Sequence, residues 1–285
     1  MLSSSYNPTN QGQQKRQDTV LLEKQVSYFF NSATEAGAVK IGTLGNIFEI
    51  QLNNPIQIPR DAIDCTLEVP EASIWNSSPN ISADIGNNLL TFTQGATPFS
   101  IVIPDGLYGV EDLNSTCKLF FQDNALDEDL FIFTGNDSTQ SVILSFNYAG
   151  TTITFGPGTC FDVLGWNLND VVGPSAAPLP DNYAAPNVAA FNRVVGYFIK
   201  TNLISGGIPQ NINSTGIIAR VPIDVPVGSL INYAPRNPVR CDATELIGNA
   251  KQRFIFRLVD QLERDVSTAS EEWALTVIIR YWVRM

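Results

Sequence analysis

The sequence contains no histidine in 285 residues. Imidazole is the commonest general base near neutral pH and a frequent transition-metal ligand, so serine triads, cysteine–histidine pairs and histidine-bound zinc are all excluded. Positive charge is scarce as well: 17 lysines and arginines stand against 28 aspartates and glutamates, for a formal net charge of −11. Affinity for nucleic acid or anionic lipid depends on clustered basic residues, so no specific nucleic acid is expected as a partner. The pair Lys15-Arg16, set in a Gln/Asn-rich stretch, reads as part of a solvated arm. Long apolar runs are missing, and the chain opens Met-Leu-Ser-Ser-Ser-Tyr with neither a basic flank nor an apolar stretch behind it. No membrane span and no cleaved secretory signal are expected, and the mature chain is expected to start near Met1. Cysteine is limited to Cys65, Cys117, Cys160 and Cys241, far apart and without a C-x-x-C pair. That spacing suggests neither a structural zinc site nor a thioredoxin-like redox centre. The four read as buried thiols, with disulfides as the alternative.

What is present is apolar residue in short alternating runs. With 44% hydrophobic and 16% charged residues the chain is long enough to bury one or two cores. Residues 1–36 are polar at first and apolar only near the end, which predicts an N-terminal arm. From Gly37 the pattern becomes that of strands. Phe48, Ile50 and Leu52 alternate up to a turn signal at Asn53-Asn54-Pro55, and Ile63, Cys65, Leu67 and Val69 alternate within 62–74. The last hundred residues predict long strands over 194–203, 216–225, 229–233, 251–259 and 273–283. In the final one, Trp273, Leu275, Val277, Ile279, Tyr281 and Val283 share a face, while Thr276, Arg280 and Arg284 mark the wetter one.

Between these regions, residues 76–184 carry their own strands, with a two-residue hairpin expected at Ala149-Gly150. A helix is expected from Tyr108 to about Gln122, where Val110, Leu113, Cys117 and Phe120 or Phe121 form a 3.6-residue stripe. A shorter helical turn is expected from Thr159, and the spacing of Asp242 and Glu245 reads as a capping box for another. Residues 171–186, with Pro174, Pro178, Pro180 and Pro186, read as a connector. The organisation expected is therefore an arm (1–36), a β framework (37–75 and 185–285), and an inserted smaller α+β domain with its Pro-rich connector (76–184).

No motif carries chemistry beyond this. The acidic group Asp123, Asp127, Glu128 and Asp129 lacks EF-hand spacing and its glycine, and reads as a solvated loop. Paired carboxylates for glycoside hydrolysis would be available in any chain with 28 acidic residues, so their availability decides nothing. No catalytic residue, metal ligand or cofactor is expected, and the chain is not expected to be an enzyme. The residues alone stop at a mainly β, acidic, histidine-free protein suited to assembly or binding.

Several phrases taken together add a resemblance: NPIQIPRDAIDCTLEVPEASIWNSSPNIS at 54–82, IPDGLYGVEDLN at 103–114, FDVLGW at 161–166, and VGSLINYAPRNP followed by RFIFRLVDQLERDV within 227–266. Their order, from about residue 38 onward, resembles the penton (minor capsid) proteins of virophages and polinton-like viruses, those of the Mavirus type most of all. The resemblance implies a single jelly-roll β-sandwich standing upright in a capsid, with an extra domain projecting outward. It implies a homopentamer at each icosahedral vertex of a virion assembled inside the host cell. A neighbouring major capsid protein would be a partner, and a host receptor could be reached through the insertion. The candidate subunit-interface residues are Trp75, Ile278 and Trp282, each with burial in the chain's own core as its alternative. The competing expectation is a receptor- or glycan-binding β-sandwich of a fibre or vertex, whose ligand-facing aromatics would be Tyr108, Trp166 and Tyr183.

Overall fold

The computed structural model describes residues 20–173, 179–208 and 216–284. In chain order the first strands are β1 (Leu21–Asn31), β2 (Val39–Ile41), β3 (Ile47–Gln57) and β4 (Ala62–Trp75). A middle group follows: β5 (Leu89–Gln94), β6 (Thr97–Val102), helix α1 (Val110–Asp123), β7 (Phe131–Asn136), β8 (Ser141–Phe146), β9 (Thr151–Phe155), the short helix α2 (Phe161–Leu164), β10 (Asp170–Val172) and β11 (Asp181–Ala184). The last group is β12 (Gly196–Thr201), β13 (Ile217–Pro222), β14 (Leu230–Tyr233), β15 (Arg240–Asp242), β16 (Ala250–Val259) and β17 (Ala274–Arg284). The protein is mainly β, built from several antiparallel sheets.

Two five-stranded sheets share one apolar core. The first runs β1-β17-β4-β14, with β15 also on β4, and the second runs β13-β12-β16-β3-β2. Alternation puts Cys65, Leu67, Leu275, Val277 and Ile279 of the first against Phe48, Phe254, Phe256 and Leu258 of the second. Pro70 lies in the middle of β4, where a central strand would not tolerate it unless pairing were interrupted. It is interrupted there. Thr276 pairs with Glu71 and Ile278 with Glu68, so β4 carries one extra residue, and its inward set passes from Cys65, Leu67 and Val69 to Ala72 and Ile74.

A second apolar core is separate. It gathers Ile81, Phe92, Phe121, Phe131, Phe133, Phe146, Phe155, Leu164 and Trp166 from the four-stranded sheet β10-β9-β5-β6, the three-stranded sheet β11-β8-β7 and both helices. Helix α1 buries Leu113, Cys117 and Phe121, the expected stripe, and starts where the Gly109 N–H donates to Asp112 Oδ2 at 2.8 Å. Ala185, Ala189 and Phe191 also pack on this core, beyond residue 184.

Five expectations change. Residues 21–31 are the edge strand β1, paired with β17 over eleven consecutive positions, because Val26, Tyr28 and Phe30 supply an inward alternation inside the expected arm; residues 1–19 lie outside the described residues. Asn53-Asn54-Pro55 does not end its strand: pairing with β16 skips between Gln51 and Ile56 and then resumes. Ala149-Gly150 is not a hairpin turn, since β8 pairs β7 and β11 while β9 pairs β5 and β10. The expected connector includes β10 and the edge strand β11, although Pro174 and Pro178 lie outside the described residues. Asp242 and Glu245 form no capping box: the single turn at 244–246 starts from Ala243 without a side-chain cap, although Asp242 Oδ1 accepts from the Thr244 N–H at 2.9 Å.

Candidate assembly surfaces

The outward face of the first sheet is built on a buried carboxylate. Glu68, between the inward Leu67 and Val69, faces outward beside β17 on one side and β15 on the other, just before the extra residue of β4. Its Oε1 accepts from Arg280 Nε at 3.0 Å and Nη2 at 2.8 Å, and its Oε2 accepts from Arg240 Nε at 3.2 Å. Arg280 also donates to Gln25 Oε1 at 2.7 Å and lies 3.7 Å from a Glu23 carboxylate oxygen. The hydrogen bond and charge of Glu68 raise the Arg280 pKa. Four strands, β1, β17, β4 and β15, are thereby stitched from outside, with Thr276 Oγ1 donating to Glu71 Oε1 at 2.6 Å further along. Breaking a buried ion pair by removing one partner costs about 3–5 kcal/mol. Both arginines reach solvent, so Glu68→Ala is expected to cost less, about 2 kcal/mol in urea unfolding. A loss of a few tenths would show that the arginines simply rehydrate.

Apolar side chains flank this network. Phe29 is 68% exposed, opposite Thr276, while Ile278 is half-buried opposite Ser27 and Glu68. Trp282 is half-buried, opposite Glu23 and Asp64. Trp75 shares the face but lies at the other end of the sheet, half-buried and opposite Leu230. The structure therefore puts the three candidate interface residues on one outward face, with Ile278 and Trp282 together and Trp75 apart. Sequence reasoning missed Phe29, Glu68 and Arg240. The first sat inside the expected arm, and the other two depend on a register that no local pattern announces.

The second sheet's outward face differs in charge. Its strands present Lys200, Arg220, Arg253 and Arg257, of which Lys200 is paired with Glu263 at 2.7 Å, Arg257 with Asp265 at 2.6 Å and Arg253 with Glu49, beside the exposed Val39 and Ile41 and the half-buried Ile47 and Ile255. The first sheet's outward positions hold Glu23, Asp64, Glu68, Glu71 and Asp242 against Arg240, Arg280 and Arg284. Carboxylates thus outnumber arginines on the first face, while on the second three of the four cations are paired within the chain.

The candidate ligand-facing aromatics are not brought together on an open surface. Trp166 is 7% exposed and stacks on Phe155 with centroids 5.1 Å apart, so its indole belongs to the second core. The Tyr183 hydroxyl donates to Gly173 O at 2.5 Å and lies 2.8 Å from Asp181 Oδ2, and its ring meets Phe146 edge-on. The Tyr108 hydroxyl donates to Pro104 O at 2.8 Å, and Asn80 holds the Tyr108 backbone at 2.9 Å through both its N–H and its carbonyl. Of the acidic loop, Asp127 accepts from the Tyr148 hydroxyl and Asp129 pairs with Lys118 at 3.2 Å. No cluster of three or more metal-ligating side chains occurs among the described residues. No helix among them is long and apolar enough to cross a membrane.

All four cysteines are free and buried. Burial raises the Cys65 thiol to about 11 and Cys160 to about 12, and raises Cys117 and Cys241 as well. The thiolate is the nucleophile, so alkylation of the native protein at pH 8 is expected to be negligible, with four thiols reacting in denaturant. Rapid labelling of any one without unfolding would contradict this burial.

Two junctions tie the cores. Ser77 Oγ donates to Thr268 O at 2.9 Å and Ser78 Oγ to Ser267 O at 2.8 Å. A cleft of about 360 Å³ beside them is lined by Asp84, Arg193, Asp260 and Arg264, where Arg264 is paired with Asp260 at 2.6 Å and Arg193 with Asp162 at 3.0 Å.

Comparison with family models and with curated proteins finds no match. Among solved structures the chain is similar to the crystal structure of the mavirus penton protein, at 12% identity and a TM-score of 0.47, over 91% of this chain and 100% of that one.

Proposed function

We propose that the chain is a structural capsid protein, a single jelly roll whose two outward sheet faces join copies of itself into a ring of five at a virion vertex. The observation that carries this reading is the pairing order. Eight framework strands, taken along the chain as β1, β3, β4, β12, β13, β14 with β15, β16 and β17, pair first with eighth, second with seventh, third with sixth and fourth with fifth. That is one long antiparallel ribbon wound into two sheets, the jelly-roll solution shared by viral capsid and lectin domains. The penton-like phrases of the sequence favour the capsid role over the others, since a fold alone does not fix function. In this reading the second core is an inserted module between β4 and β12. It spans about 76–193 rather than ending at 184, since Phe191 packs on it.

Closure into a ring needs one patch to meet a different patch on the next copy. One outward face carrying Phe29, Ile278 and Trp282 and another carrying Val39, Ile41 and Ile255 offer two different apolar patches for such a contact. Trp75, at the far end, would meet the neighbour near the junction with the inserted module. A contact with a surrounding major capsid protein belongs to the same proposal. Sedimentation velocity and electron microscopy of the purified chain are expected to show closed rings of five. The double variant Phe29→Ser, Trp282→Thr, which sets no like charge beside Glu23 and Asp64, is expected to be a monomer that still unfolds cooperatively. A wild-type chain that stays monomeric across concentration, pH and salt would overturn the reading.

A further inference from the structure

The second core carries an open groove of about 450 Å³ that none of the preceding contacts uses. It lies between the β7–β8 turn and the chain leaving β11, lined by Asn136, Asp137, Gln140 and Ser141 on one side and by Val188 to Asn192 on the other, with Val110 at its end. The turn is held from within. Asn136 Oδ1 accepts from the N–H groups of Ser138 at 3.0 Å and Thr139 at 3.3 Å, and the Thr139 and Ser141 hydroxyls are 2.6 Å apart. The Ala189 N–H donates to Gln140 O at 2.9 Å, fixing one wall to the other, and Gln140 itself sits at φ +53°.

With the backbone so fixed, three exposed side chains are left over. The Asp137 carboxylate and the Gln140 and Asn192 amides make no bond to any other described residue, yet all three border the groove. Beside them stand Val110, Val142 and Val188 and the half-buried Phe191, an apolar wall. One carboxylate and two amides beside an aromatic and aliphatic wall suit a ligand that has hydroxyls on its rim and C–H groups on its faces. No lysine or arginine lines the groove, so a ligand anion would meet Asp137 without compensation.

We propose that this groove binds a neutral saccharide of one or two rings. Asp137 and Gln140 take its hydroxyls from the turn, Asn192 takes them from the opposite wall, and Phe191 and Val188 carry a sugar face. The groove is built from residues of the second core and its flanking chain, whereas the two outward faces belong to the framework sheets, so sugar binding and ring size are read out separately.

The test uses the full chain and a panel of lactose, cellobiose, maltose, chitobiose, mannobiose and 3′-sialyllactose, followed by saturation-transfer NMR and calorimetry. Saturable millimolar binding of at least one neutral disaccharide is expected. Asp137→Ala and Gln140→Ala are each expected to weaken it at least tenfold while leaving the thermal midpoint and the ring size unchanged. Sialyllactose is expected to bind no better than lactose. The proposal is overturned if no neutral sugar binds saturably, if both substitutions leave binding intact, or if the sialylated sugar is preferred.

Discussion

Trp273→Ala is expected to lower the unfolding free energy by about 4 kcal/mol, within the range of about 3–5 for aromatic-to-alanine changes in a core. The indole is 2% exposed and meets Phe48 edge-on, with centroids 4.7 Å apart. Its Nε1–H donates to Gly45 O at 3.3 Å. The Trp273 backbone N–H donates to Ser32 Oγ at 2.9 Å, and the Ser32 N–H returns a bond to Trp273 O at 2.9 Å. The side chain therefore fastens the loop before β3 to the core, while the backbone bonds to Ser32, which tie the end of β1 to the start of β17, survive its truncation. Its removal leaves a cavity and a buried carbonyl without its donor. Urea titration measures the change, and Trp273→Phe should restore most of the packing but not the indole bond. A loss below about 1.5 kcal/mol would mean that the site collapses onto the gap, contrary to the close packing described.

The second large effect is expected at Phe131→Ala, again about 4 kcal/mol, but confined to the other core. Phe131 packs against Phe121 at 5.0 Å, Phe92 at 5.4 Å, Phe133 at 5.7 Å and Phe146 at 6.3 Å, joining both small sheets to α1. Because the two cores share no buried apolar residue, the variant should melt in two steps. The early step should be reported by Trp166 in the second core and the late one by Trp273 in the first. Single-transition unfolding of the variant would show that the serine bonds at the junction couple the cores into one cooperative unit. That outcome would also remove the basis for an inserted module.

Strand positions were legible wherever one face is buried and the other wet, because a period of two is then written into the residues. The runs around Phe48, Leu67, Phe256 and Val277 each became a strand within a few residues of the expected limits. The stripe on α1 was equally plain. Pairing was not legible. Ala149-Gly150 has the composition of a hairpin turn, yet it joins strands of different sheets, since the partners of β8 and β9 are chosen by burial of Phe146 and Phe155 rather than by the turn. Glu68 could be read as outward from the alternation around it, but that it lies between two arginines follows only from the register on both sides.

The candidate residues show the same division. Ile278 and Trp282 were found because they interrupt a wet face on a strand already identified, while Phe29 was hidden by the polar stretch before it. Trp166 was chosen as an aromatic near turns, but the stacking on Phe155 that encloses it is a contact between distant elements. The groove residues carry no local signature. Asp137 and Asn192 are 55 positions apart and become neighbours only because Ala189 is bonded to Gln140.

The pairing of β1 with β17, which sets Leu21 opposite Arg284, has a consequence for biosynthesis. The strand between β1 and β4 comes after every other described strand in chain order, so β1 gains its partner only once β17 has been made, whereas everything that builds the second core has emerged by about residue 191. The nascent chain can therefore carry a finished inner module and a paired second sheet while β1 still waits for β17.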